Sequence, residues 1–226
     1  MKLKLLFLAF LVLSTSAIVE KSPVTIYMIG DSTMANRNLK NPKNKERGWG
    51  MMLGSFFPSD KVVVSNHAAS GRSTKSFINE KRWARVVALI KPGDYVFIQF
   101  GHNDEKKENP KLYTEPGGTF DDNLRKFVNE TRAKGGIPVL FNSIVRRKFC
   151  QDAAGQFTDS LLDTHGEYLL SPKRVAEELN VPFIDMNKMT HDLVCQMGPE
   201  KSKELYMWAG KKDDTHLNIK GSRVFA

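Results

Sequence analysis

The sequence predicts an α/β fold built on one parallel sheet, and three observations carry that reading. Short apolar runs of strand length alternate along the chain with segments whose apolar residues recur at helical spacing. Some of those runs are apolar almost throughout, the mark of parallel strands covered on both faces. Helix-like segments separate the strand-like ones, as βαβ crossovers require, and no repeat or low-complexity linker interrupts the series. At 226 residues the chain suits one domain, expected over 18–226 once a leader is set aside.

That leader is residues 1–17. Lys2 and Lys4 precede an apolar stretch at 5–13, and Ser14-Thr15-Ser16-Ala17 supplies the small residues of a cleavage point, the layout of a secretory signal peptide. The stretch is too short to span a membrane comfortably, and no Cys lies near Ala17 to take a lipid. The expectation is an exported protein, periplasmic or secreted, with no membrane span after cleavage. Two cysteines remain, Cys150 and Cys195; in an oxidising compartment they pair or stay as buried thiols, and the spacing does not choose.

The first strand is the run Ile26, Tyr27, Met28, Ile29, which stops at Gly30-Asp31-Ser32. A polar loop follows, and residues 48–57 carry Trp49, Met52, Leu53, Phe56 and Phe57 at helix-like spacing before Pro58. Residues 61–66 read as the second strand, entering the small-residue stretch His67-Ala68-Ala69-Ser70-Gly71-Arg72-Ser73. A helix is expected over 76–90, with Phe77, Ile78, Trp83, Val86, Val87 and Ile90 inward, closed by Lys91-Pro92-Gly93-Asp94. Residues 95–100 form the third strand, ending in Gly101-His102-Asn103-Asp104.

The second half repeats the alternation. A helix over 120–134 turns Leu124, Phe127, Val128 and Thr131 inward and stops at Gly135-Gly136. Residues 137–144 read as the fourth strand, with Arg146-Arg147-Lys148 just beyond it, and 150–170 as loop. Pro172 opens a helix to 179, residues 181–185 make a short edge strand, and a helix covers 187–197.

Parallel sheets place their chemistry at the C-terminal ends of the strands, which makes the polar residues there candidates for a site. Ser32 taken alone fits a helix cap as well as a nucleophile. A serine hydroxyl becomes a nucleophile when an imidazole takes its proton and a carboxylate orients that imidazole. His216 is the candidate base, and Asp213, three residues earlier, the orienting acid, with Asp214 as a solvated neighbour. The N–H groups of Ser32 and Gly71 and the amide of Asn103 are candidate oxyanion donors. His102 and His67 are expected to be structural, His165 and His191 to be surface or satisfied core residues, and Trp49 to be core.

Net charge is +9, or +7 without Lys2 and Lys4, which favours an anionic partner. The basic residues are scattered and fall in no nucleic-acid motif, so a polyanionic carbohydrate is the expected partner and nucleic acid is not. Arg72, Lys75, Arg146 and Arg147 are candidate contacts for its carboxylates. No Cys-x-x-Cys or His-x-x-x-His occurs, and no metal is expected.

Gly30-Asp31-Ser32, Gly71 in Ser70-Gly71-Arg72-Ser73, Asn103 in Gly101-His102-Asn103-Asp104, and Asp213-x-x-His216 together resemble the four blocks of the SGNH, or GDSL, hydrolases. The wording of Gly48-Trp49-Gly50, residues 66–73, 97–104 and 213–218 is similar to rhamnogalacturonan acetylesterases. The resemblance runs from Thr25 to Asn218. It implies an α/β/α sandwich on a five-stranded parallel sheet in the order 2-1-3-4-5. It further implies hydrolysis of acetyl esters on pectic rhamnogalacturonan through an acetyl-serine, without cofactor. A lipase, thioesterase or sialate O-acetylesterase would use the same triad, and a non-catalytic carbohydrate-binding protein would be expected to have lost Ser32, Asn103 or His216. The family's pattern has a full helix after its Asp-x-x-His block, where eight residues follow Asn218 here, so apolar sheet surface is expected to be exposed on that side.

Overall fold

The computed structural model describes residues 22–226, and the expected leader lies outside them. Five parallel strands form the sheet: β1 (Val24–Gly30), β2 (Val62–Asn66), β3 (Tyr95–Gln99), β4 (Ile137–Phe141) and, after a small hairpin β5 (Phe149–Gln151) and β6 (Phe157–Leu161), β7 (Phe183–Ile184). Their order is β2-β1-β3-β4-β7, the 2-1-3-4-5 order that the resemblance implies. β1 pairs on one side with β2, from Val24 opposite Val62, and on the other with β3, where Gly30 faces Gln99. The switch point of the sheet is therefore at β1, directly below Ser32.

Strand periodicity divides the apolar residues into two cores. Ile26 and Met28 of β1 and Val139 and Phe141 of β4 point to one face, where they meet Trp49, Leu53, Val194 and Phe225. Tyr27 and Ile29, Val96 and Ile98, and Leu140 point to the other and meet Phe77, Trp83, Phe127 and Val175. Successive side chains of a strand face opposite ways, so runs with no polar alternation require cover on both sides. The second face is covered by α1 (Thr74–Asn79), α2 (Arg82–Val87), α3 (Thr119–Ala133) and α4 (Leu170–Leu179). The first is covered by α5 (Met186–Lys201), the 3₁₀ turns at Trp49–Met51 and Leu53–Phe56, and α7 (Ile219–Phe225), which follows the short α6 (Trp208–Lys211). A groove of about 330 Å³, lined by Ile26, Phe57, Val62, Tyr95 and Phe97 among others, stays open on that first face.

Several elements differ from the sequence reading, each for a local reason. The helix expected over 76–90 is two helices, because Lys81 takes a left-handed conformation at φ 56°. Phe77 and Trp83, six residues apart, point to different sides of a straight helix, and the break returns both to one core. Residues 48–57 form two 3₁₀ turns in place of an α-helix: Gly48 packs so closely on the turn after β1 that a Cβ there would sit 2.4 Å from Ala35 O. β4 stops at Phe141, where the side chains of Asn142 and Asp185 bond to each other. Residues 150–170 contain the β5–β6 hairpin, whose turn is held by Asp152 Oδ1 accepting from the N–H groups of Ala154 and Gln156. Cys150 and Cys195 are free thiols, and among the described residues no helix is long and apolar enough to cross a membrane.

Candidate active site

Gly30 ends β1 where a Cβ would lie 2.5 Å from Gln99 O, so only glycine lets the strand turn out of the sheet against β3. Asp31 then folds the turn back: its Oδ1 accepts from Thr33 N at 2.9 Å and from Thr33 Oγ1 at 2.8 Å. Ser32 is left half-buried at the C-terminal edge of the sheet. Its Oγ lies 2.9 Å from Nε2 of His216, and Nδ1 of the same ring lies 2.8 Å from Oδ2 of Asp213. An ionised carboxylate only accepts, so Nδ1 donates to Asp213 and Nε2 is free to accept the serine proton. Asp213 Oδ1 also accepts from the N–H groups of Thr215 and His216. Burial pushes the Asp213 carboxyl up, but those N–H groups and the His216 ring outweigh it and hold it below the usual range. Asp214, by contrast, pairs with Arg147 at 2.7 Å.

The other two blocks arrive on separate loops. Gly71 adopts φ +76°, a conformation that a side chain would strain, and its Cβ position is open space, so the backbone angle is what requires glycine. Among the described residues neither Ser32 N–H nor Gly71 N–H has a hydrogen-bond acceptor. Asn103 is buried beside them; its Nδ2 donates to Arg72 O at 3.2 Å, and its Oδ1 accepts from Lys106 Nζ at 2.9 Å. An ammonium on Oδ1 polarises the amide and makes its N–H groups better donors. The two loops are tied together by Asp104, whose Oδ1 accepts from Thr74 N, Thr74 Oγ1 and Thr114 Oγ1 at 2.9, 2.6 and 2.8 Å.

Arg37 went unnoticed in the sequence, where it is one of several basic residues in a polar loop. Its Nη2 donates to Ser32 O at 2.6 Å and pairs with Glu46 at 2.6 Å, while Nη1 donates to Ser70 Oγ. Glu46 forms a backbone bridge with Asn218, and Arg47 N donates to Leu217 O at 2.9 Å. One guanidinium thus connects the serine turn, the Gly71 loop and the segment that carries His216. No local sequence signal marks it.

Behind the serine lies a buried polar layer. Asp31 Oδ2 is 3.3 Å from His102 Nδ1. Burial pushes the Asp31 carboxyl up, but His102 and Thr33 outweigh it and hold it at about 2. Burial drives His102 down to about 4 against the pull of Asp31, so at neutral pH the carboxylate is charged and the imidazole is not. His102 packs edge-on against His165, whose Nδ1 is 2.8 Å from Glu105 Oε2. His102 and His165 are thus core residues, as is Trp49, whose Nε1 donates to Gln99 Oε1. His67 lies 2.9 Å from Ser65 Oγ under the Gly71 loop, and His191 is at the surface.

The four basic residues expected at the substrate divide. Arg72 is half-exposed beside Gly71, paired with Glu80 at 3.1 Å, and Lys75 Nζ donates to Pro110 O at 2.7 Å. Arg146 is engaged by Glu105 and by Thr164. Arg147 must be corrected: its side chain is 3% exposed, pairs with Asp214, donates to Pro199 O and stacks 4.4 Å from the Trp208 ring. That guanidinium is used up in packing, which local sequence could not reveal because all three partners come from beyond residue 198. Among the described residues no group of three His, Cys, Asp or Glu side chains is placed to hold a metal ion.

A serine, an imidazole and a carboxylate in series, beside unpaired N–H groups, can carry out acyl transfer. The chain matches the model of the GDSL-like Lipase/Acylhydrolase family over residues 28–224, belongs to that family, and is a carboxylic ester hydrolase. It is 38% identical over 216 residues to the rhamnogalacturonan acetylesterase RhgT of Bacillus subtilis (strain 168), covering 91% of this chain and 88% of that one. It is 34% identical over 202 residues to the probable rhamnogalacturonan acetylesterase YesY of the same organism, covering 89% and 88%. The crystal structure of the Bacillus subtilis protein YxiM superposes with a TM-score of 0.78 at 27% identity, over 90% of this chain and 54% of that one.

Two outcomes follow from this geometry. Arg37→Ala should lower kcat for p-nitrophenyl acetate by about 10²-fold, the usual cost of a ~1 Å misplacement, with KM moving less and Arg37→Lys recovering part of the loss; steady-state kinetics checks it. Asp104 is pushed up to about 7 by burial, against the hydrogen bonds from Thr74 and Thr114. The native state therefore holds this proton more tightly than the unfolded chain, and the stability it contributes is lost as pH rises from about 4 to about 7. Asp104→Asn mimics the neutral carboxyl, so its melting temperature should fall less than that of the wild type across pH 4 to 8; equal slopes contradict the assignment.

Proposed function

We propose that the protein is an exported carbohydrate acetylesterase that removes O-acetyl groups from an acidic plant cell-wall polysaccharide, with acetylated rhamnogalacturonan as the substrate. The observation that carries the reaction is the Ser32–His216–Asp213 series, at 2.9 and 2.8 Å. The substrate reading draws on the similarity to RhgT, a rhamnogalacturonan acetylesterase, and to YesY, a probable one, and on a net charge of +7 once Lys2 and Lys4 are set aside, which suits a uronate-bearing chain. The basic, apolar-cored leader at residues 1–17 supports export.

In this mechanism His216 Nε2 takes the Ser32 proton as Oγ attacks the acetyl carbonyl carbon. Negative charge then develops on the carbonyl oxygen, and the N–H groups of Ser32 and Gly71 and the Asn103 amide donate to it. Asp213 keeps Nδ1 protonated and stabilises the imidazolium. Collapse breaks the bond to the sugar oxygen, which leaves as a hydroxyl with the proton from His216. Water then attacks acetyl-Ser32 with His216 as base, and acetate departs as the serine recovers its proton.

Ser32→Ala should reduce acetate release from acetylated rhamnogalacturonan, and hydrolysis of p-nitrophenyl acetate, by about 10⁴-fold or more. Undiminished activity in the variant contradicts the mechanism. Wild-type preference for long acyl chains, or for acetylated xylan over acetylated rhamnogalacturonan, contradicts the substrate.

A further inference from the structure

The β5–β6 hairpin and α6 enclose a groove of about 210 Å³ that opens beside the catalytic loop. Its floor is the Arg147–Asp214 ion pair, whose charges cancel at 2.7 Å. Asp214 directly follows Asp213, and Arg147 N donates to Asp214 O at 2.8 Å, so the floor is continuous with the segment that orients His216. The walls are aromatic: Phe157, 48% exposed on the hairpin, and the half-buried Trp208. Exposed Lys148 lies on the rim, and Lys212 Nζ sits 5.3 Å from the Trp208 ring. A third cation near that ring, Lys203, is spoken for by Glu200 at 2.7 Å. Among the described residues no carboxylate lies within ion-pair distance of Lys148 or Lys212, although burial pushes the Asp214 carboxyl up and Lys148 is close enough to act against it. Of the three cations over Trp208 only Lys212 is left with charge to offer, and Lys148 on the rim adds a second unpaired ammonium.

We propose that this groove is a subsite for a uronate residue of the substrate chain, its carboxylate on Lys148 and Lys212 and the C–H face of its ring against Phe157 and the edge of Trp208. The proposal rests on the acidic-polysaccharide reading above and gives that chain a direction, away from Ser32 past Asp213 and Asp214. A neutral sugar would use the aromatic walls and leave both ammonium groups idle. A small inorganic anion would use the ammonium groups and leave the apolar walls wet. A uronate matches both chemistries, with aromatic rings suited to apolar area and ammonium groups to carboxylate oxygens.

Calorimetric titration of the full chain with unacetylated oligogalacturonate tests the subsite apart from the esterase reaction. Lys148→Gln/Lys212→Gln should weaken binding by about tenfold and flatten its salt dependence, and Phe157→Ser should weaken it without changing the salt dependence. Lys61→Gln/Lys134→Gln, which removes the same charge at the opposite edge of the sheet, should bind like the wild type. Equal affinity in the groove variants, no binding by the wild type, or equally tight binding of a neutral galactan oligosaccharide overturns the subsite. Failure of the wild type to release acetate from acetylated rhamnogalacturonan, with groove-dependent oligogalacturonate binding intact, overturns the substrate reading alone and leaves the subsite standing.

Discussion

Ser32 and His216 are separated by 184 positions in sequence and by 2.9 Å between Oγ and Nε2, and the rest of the molecule is arranged around that contact. β1 delivers the serine at the switch point of the sheet. His216 comes from no sheet strand, so its segment must be fixed by other means. Leu217 bridges to Tyr206, Asn218 bridges to Glu46, and Met207 N donates to His216 O at 2.8 Å. Asn218 then caps α7 through Gly221 N and donates to the carbonyls of Glu204 and Tyr206. The residues that follow the imidazole are therefore tied to backbone, and Thr215 before it is tied to the Asp213 carboxylate.

The electrostatics around the contact follow from burial. Charged groups beneath an active site are expensive unless paired or hydrogen-bonded. Here Oδ1 of Asp31 is bonded by Thr33 and Oδ1 of Asp104 by two threonines, while Oδ2 of each is buried without a hydrogen-bond partner among the described residues; Glu105 is engaged by Arg146 and His165. Burial pushes Glu105 up, and its two cationic-type partners outweigh that and bring it down. Asp31 and Asp213 thus remain carboxylates, and Asp213 accepts from the His216 ring. In the mechanism proposed above, the N–H groups of Ser32 and Gly71 and the Asn103 amide are the donors to the developing oxyanion. A field already set before the substrate arrives needs no reorganisation when the charge moves.

Much of this was legible because the sheet is buried on both faces. Runs such as 95–100 are apolar but for Gln99, and stops such as Pro92-Gly93 are sharp, so strand existence emerges from local chemistry and strand order from the four-block resemblance. Element ends were less legible, since they depend on distant partners: the α1–α2 break answers to the phase of Phe77 and Trp83 in one core, and the end of β4 to Asp185. The hairpin at 149–161 did leave a trace, an Asp152-x-x-Gly155 turn between apolar residues, but a polar, exposed strand such as β6 resembles a loop. At the site, Ser32, Asp213 and His216 carry residue types that chemistry pairs regardless of distance. Arg37 and Arg147 do not: a guanidinium in a basic sequence looks alike whether it binds substrate, locks a loop or stacks under a tryptophan, and only the fold distinguishes these.

The central claim is that Ser32 Oγ, activated by His216, is the nucleophile. The most direct measurement is peptide mapping by mass spectrometry after inactivation with a serine-directed fluorophosphonate, compared between the wild type and His216→Ala. The account predicts a single adduct on Ser32, formed in step with loss of activity and much more slowly in the variant. An adduct on another residue, or complete inactivation with Ser32 unmodified, would contradict it.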